Sequence, residues 1–172
     1  GVPPVTINYR NDDGGPGFGK DSRLTFDPPT DGVYHVRVED VRGQGGSDHG
    51  YHLVLRDPRP AFSVSISTDH PNISRGGSAI VTVNLSRLDG FKDAVDIVAE
   101  GLPTGITATS VRVEPEAFTA DILLTADESA PAFSPPTWKI KAKAVDASAG
   151  IAEKSLDPGG PLGGWITVTP KA

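Results

Sequence analysis

Acidic side chains gather at two places along the chain. Asn11, Asp12, Asp13 and Asp21 fall in one glycine-rich stretch, and Glu39, Asp40 and Asp48 border a second. A calcium ion takes six to eight oxygen ligands from carboxylates, amide oxygens and backbone carbonyls, and irregular loops present carbonyls that a sheet would consume. Asp12, Asp13, Asp21, Asp40 and Asp48 are therefore the candidate ligands for Ca²⁺. The spacing lacks the Gly at position six and the Glu at position twelve of an EF-hand loop. Asx-type turns, in which a side-chain oxygen accepts a bond from backbone two residues on, explain the same residue types without a metal. Both readings stay open on the sequence.

Other chemistries find less. A serine nucleophile on a strained turn is marked by Gly-x-Ser-x-Gly, which is absent, and Ser47-Asp48-His49 are chain neighbours rather than a triad assembled in space. The four histidines, His35, His49, His52 and His70, lack zinc-type spacing, although His35 and His52 share the outer faces of two expected partner strands. The run Gly14-Gly15-Pro16-Gly17-Phe18-Gly19-Lys20 has no Ser or Thr after its lysine, and Pro16 removes an amide from any phosphate cradle. No catalytic group and no cofactor site other than the calcium candidates is expected.

The 172 residues carry a net charge of -6, with 20 Gly and 16 Pro. Such length allows two small domains. Abundant turn formers among short alternating apolar runs indicate β structure rather than disorder. Basic residues form no cluster beyond the alternating Lys139, Lys141 and Lys143, which disfavours nucleic acid as a partner. Cysteine is absent, so there is no disulfide framework and no thiolate site. No apolar stretch approaches the roughly 20 residues of a membrane span, and no signal peptide opens the chain, so it reads as an internal piece of a longer protein.

The elements that would position the acidic loops are strands. Val5, Ile7 and Tyr9, then Leu24 to Phe26, then Tyr34, Val36 and Val38, then Tyr51, Leu53 and Leu55 alternate with polar neighbours. Asp57-Pro58-Arg59-Pro60 interrupts pairing and marks a boundary, giving domains 1–59 and 60–172. Seven strands are expected after it: Phe62 to Ser67, Ala79 to Leu85, Ala94 to Glu100, Ile106 to Val113, Phe118 to Thr125, Thr137 to Val145 and Trp165 to Thr169. Phe62, Val64, Ile66, Val81, Val83, Leu85, Trp138, Ile140 and Ala142 supply inward faces, with the three lysines on a solvated face. Asp146 to Gly164 reads as one long loop and a secondary candidate surface, with Ile151, Ala152 and Leu156 at loosely helical spacing. Tyr34, Tyr51 and Trp138 point inward, leaving Phe18, Phe91 and Phe133 as the exposed rings a sugar platform would need.

Asp31-Gly32-Val33-Tyr34-His35-Val36-Arg37-Val38, a polar loop, and Gly50-Tyr51-His52-Leu53-Val54-Leu55 resemble the C-terminal part of the bacterial pre-peptidase C-terminal domain. The resemblance implies a β-sandwich attached to secreted peptidases and surface proteins, with calcium-binding relatives, of which about sixty residues cover only part. Gly77-Ser78-Ala79-Ile80-Val81-Thr82-Val83, Asp89-Gly90-Phe91 and Gly101-Leu102-Pro103-Thr104-Gly105-Ile106 resemble bacterial surface immunoglobulin-like domains. That likeness implies fold and export more than activity.

The expectation is an all-β chain of two β-sandwich modules, the second immunoglobulin-like and the first partial. Its expected function is that of a non-catalytic accessory pair in a large secreted or cell-surface bacterial protein, as spacer, stabiliser or matrix-binding appendage. The alternative is a calcium-dependent carbohydrate- or protein-binding module. Expected partners are other domains of the same polypeptide, extracellular protein or polysaccharide, and a further copy joined through the unpaired edge of the first domain. Neither nucleic acid nor membrane insertion is expected.

Overall fold

Val81, Val83 and Leu85 alternate with Thr82, Asn84 and Ser86, and this pattern becomes the longest strand of the molecule, Ser78–Leu88. The computed structural model describes residues 9–14, 20–132, 138–146, 153–160 and 164–171. In chain order the strands are β1 (Ala61–Ile66), β2 (Asn72–Ser74), β3 (Ser78–Leu88), β4 (Val95–Glu100), β5 (Ile106–Ala108), β6 (Val111–Val113), β7 (Thr119–Ala126), β8 (Lys139–Ala144), β9 (Lys154–Leu156) and β10 (Thr167–Thr169). The chain is all-β, and no α-helix occurs among the described residues. It divides into two units, Gly1–Pro58 and Arg59–Ala172, and every described strand lies in the second.

That second unit is a β-sandwich. One antiparallel sheet has the order β1-β3-β7-β5 and the other β6-β4-β8-β9, while β10 pairs in parallel with β2. Inward residues of both sheets form a single core in which Val81, Val83, Ile122 and Leu124 from one meet Val95, Ile97, Ile140 and Ala142 from the other. The alternation Val81, Val83, Leu85 and the set Trp138, Ile140, Ala142 are buried as their period requires. Phe62 is fully buried, whereas Val64 and Ile66 are partly buried and pack at the core margin.

Turns close the frame. Asp89 and Gly90 both adopt positive φ, and Phe91 N–H donates to the Leu88 carbonyl at 3.0 Å, which is the geometry of a type I′ turn. Gly105 also sits at positive φ, and a Cβ there would lie 3.1 Å from the Cα of Ala130, so this turn needs glycine for both conformation and space.

Several expectations are corrected. Residues 106 to 113 are not one strand: β5 pairs with β7 and β6 with β4, so the chain crosses between sheets at Thr109 and Ser110. Thr109 makes the crossing by donating its N–H to the Leu123 carbonyl and accepting from Leu123 N–H on its Oγ1, both at 3.0 Å. The stretch from Asp146 to Gly164 contains β9, which extends the second sheet beside β8, with Leu156 opposite Ile140. Phe91 is no exposed platform. Its ring lies 5.1 Å from that of Phe62 inside the core.

In the first unit the alternating runs 33–38 and 51–55 form no strand. One-faced alternation becomes a strand when a ladder partner and a second apolar layer are at hand. Among residues 20–58 neither forms, so Val36 stays 60% exposed and Tyr51 73%. Tyr34, also expected inward, is 39% exposed, and the rings of Tyr9, Phe26 and Tyr34 make a local edge-to-face chain with centroids 5.0 and 5.1 Å apart. The Tyr34 hydroxyl donates to the Thr30 carbonyl at 2.6 Å. Val5, Ile7, residues 15–19 with Phe18, Phe133, Thr137, Ile151 and Ala152 lie outside the described residues.

Candidate functional site

The acidic loops come first. Asn11 Oδ1 accepts from Asp13 N–H at 3.1 Å, an Asx turn, while its amide nitrogen donates to the Arg23 carbonyl. Ser22 Oγ donates to the Asp12 carbonyl at 3.1 Å, and Asp12, Asp13 and Asp21 are all exposed. In the next loop Asp40 Oδ1 accepts from Arg42 N–H at 2.9 Å and Gln44 N–H at 3.1 Å, and Gly43 N–H donates to the Asp40 carbonyl at 2.9 Å. Asp48 accepts from Ser47 Oγ at 3.3 Å, and His49 N–H closes a turn onto the Gly46 carbonyl. Among the described residues no three His, Asp or Glu side chains converge as a metal-binding group. His35 and His52 are exposed.

A cluster that spacing does not reveal forms at one end of the sandwich. His70 Nδ1 lies 2.6 Å from Asp69 Oδ1, and the His70 ring meets Trp165 edge to face with centroids 3.9 Å apart. Thr68 Oγ1 accepts from His70 N–H at 3.3 Å. Gly164 makes the approach possible, because a Cβ there would stand 2.5 Å from both the Asp69 carbonyl oxygen and Pro158 Cβ. An aspartate orienting an imidazole is half of a general-base arrangement, but the base nitrogen must reach substrate. His70 Nε2 is buried instead, without a partner among the described residues. The dyad pins the β1–β2 connection to the entry of β10. Residues 68 to 70 look like polar turn, and their partner arrives from 95 positions downstream, which is why the sequence hides them.

No protein-family model and no curated protein matches this chain.

Other charged groups pair with one another on the sandwich. On the outer face of the second sheet Arg112 donates to both carboxylate oxygens of Asp96, at 2.6 and 2.9 Å, and these bonds hold the Asp96 carboxyl below its usual range and raise Arg112. Lys141 lies 3.0 Å from Glu100 and 3.3 Å from Glu153, which raise its pKa, and Lys139 lies 3.3 Å from Asp157. The lysine stripe is thus interleaved with carboxylates rather than offered as a basic surface. Beside the Asp96–Arg112 pair an open cleft of about 420 Å³ runs along Val98, Ser110 and Val111.

Arg87 is the other residue that spacing misses. Its guanidinium donates to the carbonyls of Asp93 at 2.6 Å, Glu114 at 2.8 Å and Ala117 at 3.4 Å, and lies over the Phe91 ring. Burial pushes its pKa down, against the raising effect of Glu116 and Asp93. One side chain at the end of β3 therefore holds both the β3–β4 and the β6–β7 connections.

Proposed function

We propose that this chain is a non-catalytic accessory segment of a large secreted or cell-surface protein, in which residues 60–172 form an immunoglobulin-like sandwich acting as a spacer, stabiliser or matrix-binding appendage. The strand order β1-β3-β7-β5 facing β4-β8-β9 supports the immunoglobulin-like assignment, because it follows the four-plus-three order of such sandwiches, with β6 added at the free edge of β4. The observation that carries the functional reading is where the reactive side chains go. Asp40 closes a turn, Asp96 and Arg112 pair on a sheet face, Arg87 clasps three carbonyls, and His70 has its Nε2 buried and its ring against Trp165.

The resemblance of residues 31–55 to the pre-peptidase C-terminal domain supports export and attachment to a larger polypeptide. The test is retention of the full chain on fibrillar collagen and on insoluble polysaccharide, alongside a hydrolase substrate panel. Turnover abolished by substituting a single Ser, Asp or His contradicts the reading. Retention on either matrix identifies the appendage role, and retention on neither leaves the spacer role.

A calcium-dependent binding module is the second reading, favoured by the exposed Asp12, Asp13 and Asp21 of a loop in which Ser22 Oγ ties back to the Asp12 carbonyl. Calorimetric titration of calcium into the metal-free protein decides it. Absence of both binding heat and a Tm shift at millimolar calcium removes it.

A further inference from the structure

The two outer faces of the sandwich differ in chemistry. On the second sheet Asp96, Glu100, Arg112, Lys139, Lys141 and Lys143 alternate in sign. On the first sheet β3 presents Ser78, Ile80, Thr82, Asn84 and Ser86, and β7 presents Thr119, Asp121, Leu123 and Thr125. The outward residues of β1 and β5 add alanine, serine and threonine. Among the outward residues of these four strands, all of which are described, Asp121 alone is charged, and it accepts a hydrogen bond from Thr82 Oγ1 at 2.7 Å. Ile80 and Leu123 stand directly opposite each other at the middle of the face, 60% and 40% exposed.

We propose that this face binds a second copy of the chain, sheet against sheet about a twofold axis through the Ile80–Leu123 pair. Charge decides the location. A chain of net charge -6 repels its copies, and this face, with Asp121 as its one carboxylate already bonded to Thr82, is where two can meet with few like charges opposed. Self-complementarity decides the partner. A twofold contact sets a patch against itself, and hydroxyls suit this because each donates and accepts. Cross-strand Ser78 Oγ and Thr125 Oγ1, 3.0 Å apart, already show that exchange within one copy.

The side chains are short, so a second sheet can approach to the spacing of about 10 Å at which sheets stack. Two Ile80–Leu123 pairs then form an apolar centre inside a polar rim, the anatomy of protein interfaces. A polysaccharide fits less well, since these outward residues include no aromatic ring. Ile80 and Leu123 are the large apolar side chains exposed at the centre of the face, so little apolar surface is buried and the dimer is weak and reversible.

Sedimentation equilibrium of the full chain, from about 10 µM to about 1 mM, tests this range of weak affinity. The expected result is a monomer–dimer equilibrium that Ile80→Lys with Leu123→Lys weakens at least tenfold, while Val98→Lys on the opposite sheet leaves it unchanged. A monomer throughout, or a dimer indifferent to the double substitution, overturns the proposal. A second readout avoids any folding defect of the lysine variants. The chain has no cysteine, so Leu123→Cys and Val98→Cys each add a unique thiol. A short bis-maleimide should link Leu123→Cys into a covalent dimer and leave Val98→Cys monomeric, and equal yields contradict the geometry.

Discussion

Residues 33–38 and residues 81–85 carry the same period-two alternation, yet only the second run is a strand. Val81, Val83 and Leu85 find β1 and β7 as ladder partners and the inward side chains of β4 and β8 as a facing layer. Tyr34, Val36 and Val38 find neither among the described residues and remain exposed. Alternation therefore states which side chains want burial, and the availability of a second layer decides whether they obtain it.

The largest test of this contrast is a cavity. Ile140→Ala removes a fully buried side chain from between the sheets, and an expected loss of about 2–5 kcal/mol in chemical denaturation compares with under about 0.5 kcal/mol for Val36→Ala in the first unit. Equal effects would erase the distinction between the two regions. Arg87→Ala should follow at about 2–3 kcal/mol, since it strips a charged donor from three carbonyls, and Arg87→Lys should recover only part because one ammonium cannot span them. Gly105→Ala should cost about 1–2 kcal/mol by thermal melting, from positive φ together with the close Ala130 backbone.

Electrostatics sharpens the same contrast at smaller scale. The Asp96 carboxyl is depressed in the folded chain, so its contribution is present above the unfolded carboxylate pKa of about 3.9 and is lost as pH falls through the lower folded value. Carbon-detected NMR titration should find Asp96 titrating below ordinary aspartates, and Arg112→Gln should return it toward them.

Much of the second unit is legible in its residues. The faces through Val81, Val83 and Leu85 and through Trp138, Ile140 and Ala142 follow from period two alone, and Asp89-Gly90 announces its turn. Three-residue strands escape notice. Asn72–Ser74 and Lys154–Leu156 are too short and too polar to show alternation, and their partners, β10 and β8, are set by tertiary contact. The sheet crossing at Thr109 is hidden because β-branched residues continue across it. In the acidic loops the residue types announce turns, and Asn11 and Asp40 make them. The Asp69–His70–Trp165 and Arg87 clusters join positions far apart in sequence, which no local pattern encodes.

Amide hydrogen exchange on the full chain tests the central contrast most directly. Amides of β3, β4, β7 and β8 should be protected to the level of global unfolding, while those of residues 33–38 and 51–55 exchange close to unprotected rates. Strong protection across 33–38 and 51–55, matching that of β3, would contradict the account.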